Sequence, residues 1–258
     1  NYAFYSSGFI GSLNLGSEVG LISAYENDEG NVVDAEESFT FRRCNFNALT
    51  LNNEGSITSR AFYKMTSIVS SLTIPETVTN IGKEAFAGCH INKLIFESNP
   101  NPDIVNGANS LTIDDAAFMG CTKIGNDLVI NRALSKYEIK DYVFHGCDNI
   151  KSLTFDTKLT TIGSFAFYGC TKLSSISFPK EIDSIGYFAF AECTGLSCNL
   201  NIYQATMIGN SAFQNCAGLN GALDLSSVYY IGNNAFSGCT GFDQNLTVHN
   251  PTFYQTYP

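Results

Sequence analysis

Residues 162–170, Ile-Gly-Ser-Phe-Ala-Phe-Tyr-Gly-Cys, decide how this chain folds, because the chain repeats them. The motif returns at residues 185–193, 208–216 and 231–239, at a step of 23 residues each time. Weaker copies are found at residues 57–65, 81–89, 113–121 and 139–147, with partial copies at 2–7 and 41–44. A fixed period of roughly 20–50 residues is the signature of a solenoid or a related repeat architecture. The length of 258 residues therefore divides into turns and not into two domains.

One phenylalanine and one cysteine occupy fixed places in these copies. The repeated phenylalanines are Phe4, Phe41, Phe62, Phe86, Phe118, Phe144, Phe167, Phe190, Phe213 and Phe236. Three residues later stand Cys44, Cys89, Cys121, Cys147, Cys170, Cys193, Cys216 and Cys239, with Ser7 and Met65 in the two remaining copies. A position that accepts Cys, Met and Ser is typical of a small buried slot. We predict a continuous aromatic spine and buried free thiols, with Cys198, outside the pattern, as the most exposed thiol.

An apolar-x-apolar triplet follows each copy and predicts a short half-buried strand, because side chains alternate between the two faces of a strand. The triplets are Leu13–Leu15, Leu49–Leu51, Leu72–Ile74, Leu94–Phe96, Leu128–Ile130, Leu153–Phe155, Ile176–Phe178, Leu200–Ile202, Leu223–Leu225 and Leu246–Val248. Ten strands about 4.8 Å apart would span roughly 45 Å. The segment around each repeated phenylalanine is too short for an isolated helix, and we predict a single helical or 3₁₀ turn there.

Residues 170–190 join both patterns in Cys-Thr-Lys-Leu-Ser-Ser-Ile-Ser-Phe-Pro-Lys-Glu-Ile-Asp-Ser-Ile-Gly-Tyr-Phe-Ala-Phe. This unit resembles the BspA-like leucine-rich repeats of bacterial surface proteins and of some protist proteins, and the resemblance covers essentially the whole chain. We therefore predict a single leucine-rich-repeat solenoid over residues 1–258. It has about ten stacked turns of roughly 23 residues, with one short parallel strand per turn on the concave face and short helical or 3₁₀ turns and loops on the convex face.

Two copies carry extra residues, at 23–38 and 97–110, which we predict to form loop insertions. The first insertion contains Glu26, Asp28, Glu29, Asp34, Glu36 and Glu37. Ca²⁺ prefers oxygen ligands, but the ligand spacing of a calcium-binding EF-hand loop is absent. The favoured interpretation is a solvated acidic loop.

Composition excludes several classes of function. The chain has 14 Lys and Arg against 24 Asp and Glu, a net charge of −10, which argues against nucleic acid because phosphate binding needs clustered basic side chains. No apolar run of about 18 residues predicts a membrane-spanning helix. The three histidines, His90, His145 and His249, lack zinc-site spacing, and no nucleophile elbow, P-loop or dinucleotide fingerprint occurs. We predict no catalytic residue, metal or cofactor.

The best candidate surface is the row of outward-pointing residues at the centres of the triplets. Its candidate binding residues are Thr154, Ser177, Asn201, Asp224 and Thr247, together with Tyr203, which directly follows one triplet. Tyrosine is enriched at interface hot spots, so Tyr203 is placed to anchor a partner. Threonine also suits the surface of any strand, and the alternative for each single residue is a surface role without a ligand.

The family resemblance implies an extracellular or cell-surface location, adhesion to a host or matrix protein or to a glycan, and a place in a longer surface protein. We predict a monomeric, non-catalytic binding module. Two alternatives remain open. One is a structural spacer that holds another domain away from a surface. The other is a polysaccharide-acting hydrolase, although the acids beside strands fall on separate turns without an evident pair: Glu97, Asp127, Asp156 and Asp224.

Overall fold

The chain forms a solenoid of stacked turns built almost entirely from short parallel strands, which confirms the predicted fold class. The structure is a computed structural model, and it describes residues 10–15, 25–26, 32–33, 41, 45–51, 55–65, 68–97, 110–132, 134–155 and 158–248. It contains about eight turns of roughly 23 residues, fewer than the ten predicted. The partial copy at residues 2–7 and the C-terminal residues 249–258 lie outside the described residues.

The strands are short and follow one another in every turn. In the N-terminal half they are β1 (Ile10–Leu15), β2 (Tyr25–Glu26), β3 (Val32–Val33), β4 (Asn45–Leu51), β5 (Gly55–Ile57), β6 (Ile68–Val69), β7 (Leu72–Ile74), β8 (Val78–Ile81), β9 (His90–Ile91), β10 (Leu94–Phe96), β11 (Thr112–Ile113) and β12 (Asn126–Ile130). In the C-terminal half they are β13 (Glu138–Ile139), β14 (Ile150–Phe155), β15 (Thr161–Ile162), β16 (Ser175–Ser177), β17 (Ser184–Ile185), β18 (Met207–Ile208), β19 (Leu223–Leu225), β20 (Tyr230–Ile231) and β21 (Leu246–Val248).

One face of the solenoid carries the predicted triplets, and we call it the triplet face. Its strands pair as β1 with β4, β7 with β10, β12 with β14, β14 with β16, and β19 with β21. Every predicted triplet lies in or overlaps a strand, except residues 200–202. The first and third residues of most triplets are buried and the middle residue is more exposed, as for Leu223, Asp224 and Leu225 in β19.

A second wall is formed by strands that end at the isoleucine of the repeated motif. They pair in two parallel sheets, β5-β8-β11 and β13-β15-β17-β18-β20. In five of the eight described copies a glycine follows this isoleucine and lets consecutive turns approach closely, whereas Thr58, Asp114 and Lys140 stand in the other three. A Cβ atom on Gly186 would lie 2.7 Å from the carbonyl carbon of Gly163 in the preceding turn, closer than real atoms come.

The predicted aromatic spine is present. Neighbouring rings from Phe41 to Phe236 lie parallel, with centroids 5.0–5.4 Å apart and interplanar angles of 1–14°. Phenylalanines of the triplet face meet these rings edge-on, as Phe155 meets Phe167 at 6.3 Å. Offset and edge-on pairs are both favourable arrangements for aromatic rings. The spine therefore links every described turn to the next through the core.

We call the segment around each repeated phenylalanine the turn wall. A single helical or 3₁₀ turn was predicted there, but the segment is not helical. Residues two before and two after Phe190 adopt a left-handed backbone, with φ of 54° at Phe188 and 62° at Glu192. Left-handed residues interrupt a right-handed helix, so the segment forms successive tight turns. The N–H groups of all three residues donate to carbonyls of the next turn at 2.8–2.9 Å. The only 3₁₀ segment among the described residues is Ser135–Tyr137.

The repeated thiols donate hydrogen bonds from one turn to another. The Cys193 Sγ lies 3.2 Å from the carbonyl oxygen of Phe167, the spine residue of the preceding turn. The same contact spans 2.9–3.4 Å for Cys89, Cys121, Cys147, Cys170, Cys216 and Cys239. A thiol can donate such a bond, and the thioether of Met65 cannot. In seven of the eight described copies the slot therefore holds a small side chain that also donates.

The predicted burial of the repeated thiols is confirmed at six positions, namely Cys89, Cys121, Cys147, Cys170, Cys193 and Cys216. Cys239, in the last described turn, is half-buried, and so is Cys198, which packs against the core instead of standing fully exposed. Cys44 lies outside the described residues. Burial raises the pKa of the Cys121 thiol to about 12 and that of Cys239 to about 11, so these groups stay protonated near neutral pH.

The structure describes only part of the two insertions. In the first insertion β2 and β3 form an antiparallel pair, so it is not a simple loop there. The remainder of its acidic residues, and residues 98–109 of the second insertion, lie outside the described part of the chain. Beyond the second insertion, the buried Arg132 guanidinium donates to the carbonyls of Pro75 and Glu76 at 2.6 Å. This side chain ties together two turns that are not adjacent in the stack.

Replacement of a spine residue tests the stacked core. We expect Phe190→Ala to lower the free energy of unfolding by roughly 3–5 kcal/mol, because the ring is fully buried between two others. The matched control is Tyr187→Ala, where the side chain is 45% exposed and the loss is expected to stay below about 1 kcal/mol. Urea denaturation measures both variants, and equal midpoints would contradict the spine.

The thiols give a pH test. The folded-state pKa of Cys121 is about 12, against an ordinary 9.0. The protonated thiol therefore stabilises the folded state below pH 9, and this stabilisation is lost between about pH 9 and 12. The free energy of unfolding in reductant should therefore fall above pH 9. In the Cys121→Ser variant, which keeps a hydrogen-bond donor but does not titrate, the free energy of unfolding should fall by about 2 kcal/mol less at about pH 10.5. Parallel curves for the two proteins would show that this thiol does not contribute.

Candidate binding site on the triplet face

The predicted row of outward residues lies on the triplet face, but it is not continuous. Thr154 is half-buried, whereas Ser177, Asn201, Asp224 and Thr247 are exposed. Strand pairing sets Thr154 opposite Ser177, and Asp224 opposite Thr247. Asn201 lies between these two pairs in a turn that belongs to neither sheet. The row is therefore divided at residues 199–203.

Residues 199–203 form a gap in the backbone ladder. Within the continuously described stretch 158–248, neither Asn201 nor Ile202 forms a backbone hydrogen bond to another turn. A single bridge joins Asn199 to Asn220, and the Ile202 carbonyl accepts a local bond from Ala205 N–H at 2.9 Å. At the other sheet boundaries on the triplet face, each of the two neighbouring strands is paired with a strand on its other side. Here a whole turn lies unpaired between β16 and β19.

A depression of about 350 Å³ lies at this gap. Its lining consists of Asn199, Leu200, Asn201, Ile202, Tyr203, Ala222 and Asp224. Three of the six predicted binding residues, Asn201, Tyr203 and Asp224, thus line one depression. The structure does not bring Thr154, Ser177 or Thr247 into it. Whether any of the six contacts a ligand remains a prediction.

The sequence spacing changes on one side of the gap. Cys170 and Ile176 are six positions apart, whereas Cys193 and Leu200 are seven positions apart, so the triplet shifts by one residue between these turns. On the other side the spacing is unchanged, since Cys216 and Leu223 are also seven positions apart. There Gly221 adopts a left-handed backbone with φ of 77°, and Leu223 pairs with Leu246 and not with Leu200. Residues 200–202 thus have no partner strand on either side.

The polar groups of the depression are held by local contacts. The Asp224 Oδ1 accepts a hydrogen bond from the Ser226 N–H at 2.9 Å, which orients the carboxylate at the surface. The Asn199 side chain lies against Gly221, where an added Cβ would come within 3.2 Å of the Asn199 Cγ. The Tyr203 ring is 37% exposed. The depression therefore combines two carboxamides, one carboxylate and one aromatic ring, with no basic group in its lining.

Sequence reasoning did not single out Asn199 or Ala222. Both precede a triplet instead of standing at its centre, so the alternation of the strand does not mark them. The spacing does not mark them either, because Cys193 and Leu200 are as far apart as Cys216 and Leu223.

The other acids named as hydrolase candidates do not gather at this site. Asp127 accepts a hydrogen bond from Ser152 at 2.5 Å on another part of the triplet face. Asp156 lies outside the described residues, and neither Asp127 nor Glu97 lines the depression with Asp224. In the part of the chain that the structure describes, no group of three His, Cys, Asp or Glu side chains is arranged to hold a metal ion.

A second aromatic cluster lies on the turn wall and was not predicted. Tyr142, Phe165 and Phe188 stack at centroid distances of 4.9 and 4.8 Å, and the His145 ring stacks on Tyr168 at 5.1 Å. Because these rings cover one another's faces, they stabilise neighbouring turns much as the spine does. Burial lowers the pKa of His145, which favours the neutral ring.

Comparison with protein families identifies the class of protein that this repeat defines. Six copies of the BspA type leucine-rich repeat region match residues 36–126 and 111–243. The chain belongs to this family. No match was found among curated proteins. Among the described residues, no helix is both long and apolar enough to span a membrane.

Three solved structures of leucine-rich repeat proteins are similar to this chain. A leucine-rich cell surface protein of Faecalibacterium prausnitzii shares 14% identity with a TM-score of 0.45, over 94% of this chain and 88% of that one. A leucine-rich repeat protein of Bacteroides ovatus shares 17% identity with a TM-score of 0.32, over 89% and 84% of the two chains. One from Eubacterium ventriosum shares 14% identity with a TM-score of 0.30, over 82% and 83%.

Exposed residues of the depression should not contribute much to stability. We expect Tyr203→Ala and Asp224→Asn to change the free energy of unfolding by less than about 1 kcal/mol, since both side chains are exposed. Leu223→Ala removes most of a buried side chain next to Asp224 and should lower the free energy of unfolding by roughly 2–5 kcal/mol. Urea denaturation checks this contrast. Large losses at Tyr203 and Asp224 would mean that they are structural residues.

Proposed function

We propose that this chain is a non-catalytic binding module of a cell-surface protein, and that it binds its partner through the triplet face around residues 199–203. The observation that carries the proposal is the convergence of Asn201, Tyr203 and Asp224 on one depression where the backbone ladder is open. None of these groups is needed to fill the core. Exposed polar and aromatic side chains gathered around a concavity are typical of a binding site.

Rigidity supports a binding role. The turns on both sides of the depression are tied to the stack by the phenylalanine spine and by the thiol hydrogen bonds of Cys193 and Cys216. A surface that is held in place before its partner arrives loses little conformational entropy on binding. The site therefore does not require a moving lid or a folding step.

Family membership supports the location and the class of partner. BspA-like repeats occur in bacterial surface proteins, and a chain of this kind is suited to contact a host or matrix protein or a glycan outside the cell. The net charge of −10 makes nucleic acid an unfavourable partner. We propose that the chain acts as a monomer, because a single solenoid presents the whole surface without a second copy.

A spacer role and a hydrolase role are the two competing proposals. A spacer needs the stacked core but gives no reason for an open depression with oriented polar groups. Glycoside hydrolysis ordinarily needs two carboxyl groups about 5–10 Å apart, and Asp224 is the only carboxylate in the lining of the depression. Both facts favour binding without catalysis.

An array of glycans and matrix proteins tests the proposal with the purified chain. We expect at least one specific ligand, whose binding weakens about tenfold or more in the double variant Asn201→Ala/Asp224→Ala. The matched control is Thr73→Ala, on the same face but in a distant turn, which should bind as the original chain does.

Two results would contradict the proposed function. Absence of any specific ligand on the array would favour the spacer. Turnover of a polysaccharide that is abolished by Asp224→Asn would favour the hydrolase.

A further inference from the structure

The depression at residues 199–203 offers hydrogen-bond donors and acceptors side by side. Asn199 and Asn201 each carry an amide that donates and a carbonyl oxygen that accepts, and Asp224 carries acceptors only. Asn201 and Ile202 add backbone N–H groups that form no hydrogen bond to a neighbouring turn. A ligand that satisfies this site must itself both donate and accept.

The absence of a basic group in the lining sets the charge of the ligand. With Asp224 in the lining and a net charge of −10 on the chain, an anionic ligand such as a phosphorylated or sulfated group would be repelled. A lysine or arginine side chain of a peptide would suit Asp224. However, such a group has no acceptor, so it would leave the amide and backbone donors of the depression unsatisfied.

Hydroxyl groups meet both requirements, because each one donates once and accepts as well. The apolar part of the lining, namely Leu200, Ile202, Ala222 and the ring of Tyr203, matches the C–H surface of a sugar ring. The volume of about 350 Å³ is at the small end of the roughly 300–1,000 Å³ found for small-molecule sites. This size suits one or two sugar rings, with further units lying along the exposed row towards Ser177 or Thr247.

We propose that the depression lined by Asn199, Asn201, Tyr203 and Asp224 is a subsite for one neutral sugar unit of a glycan. The inference rests on the proposed binding function and specifies its ligand as a polyhydroxylated, uncharged ring. Asn201 and Asp224 bind neighbouring hydroxyls, Asn199 and the open backbone supply further donors, and Tyr203 covers an apolar face of the sugar.

Titration followed by ¹H–¹⁵N nuclear magnetic resonance tests the subsite. The probes are methyl glycosides of glucose, galactose, mannose and N-acetylglucosamine, with glucose 6-sulfate and an acetylated arginine amide as charged comparisons. We expect at least one neutral glycoside to shift the backbone amides of residues 199–203 and the side-chain amides of Asn199 and Asn201. Weak binding in the millimolar range is expected for a single unit, and the charged probes should bind about tenfold more weakly.

Variants separate binding from folding. Asn201→Ala should weaken the glycoside about tenfold, and Tyr203→Ala should do the same while Tyr203→Phe retains binding, because the ring and not its hydroxyl covers the sugar. Thr73→Ala, in a distant turn, should have no effect. Unchanged urea midpoints show that the variants fold, and Tyr203→Phe supports the assignment even if Asn201→Ala is unstable.

The outcomes distinguish this inference from the proposed function. If the arginine amide binds in place of the sugars, or if the array yields a protein ligand while no glycoside shifts residues 199–203, the sugar subsite is wrong and the binding module stands. If neither the array nor any probe yields a ligand, both proposals fail. Glycoside binding that is unaffected by Asn201→Ala, Tyr203→Ala and Asp224→Asn overturns the assignment of the subsite.

Discussion

The distance between consecutive turns is the constraint on which the rest of this structure depends. The spine rings stack at 5.0–5.4 Å, close to the spacing of about 4.8 Å between strands of a sheet. At this spacing the glycine that follows the motif isoleucine in five described copies has no room for a side chain, as at Gly186 against Gly163. The thiol of Cys193 also reaches the carbonyl of Phe167 in the preceding turn. Three features of the repeat therefore follow from one distance.

The triplet face is less regular than the core. At residues 200–202 the ladder of the triplet face opens and a depression forms. The spine is regular at this point, because Phe190 and Phe213 are 23 positions apart and their ring centroids are 5.3 Å apart. A regular core thus supports an irregular surface, and the irregular part is where we place the binding site.

The sequence was sufficient to predict the features that repeat. The positions of Phe167 and Phe190 in the spine, the burial of Cys170, and the strands of the triplet face follow from periodicity, because each copy must bury the same face. The strands of the second wall were not predicted, because only one strand per turn was expected. The left-handed residues of the turn wall could not be predicted, since Phe188 and Glu192 are residues that rarely adopt this backbone. Hydrogen bonds to the next turn impose it there. The depression was predicted only as separate residues, because periodicity does not mark the turn at which the ladder opens.

The central claim is that hydrogen bonds join consecutive turns along the described turn wall, whereas the ladder of the triplet face is open at residues 200–202. Hydrogen exchange of the backbone amides tests this claim most directly. The amides of Phe190 and Phe213 donate to the next turn at 2.8 Å and should exchange only through global unfolding. The amides of Asn201 and Ile202 should exchange about a hundredfold faster or more, through local motion. Equal protection of the two groups would contradict this account, because it would mean that the ladder is closed where we place the site.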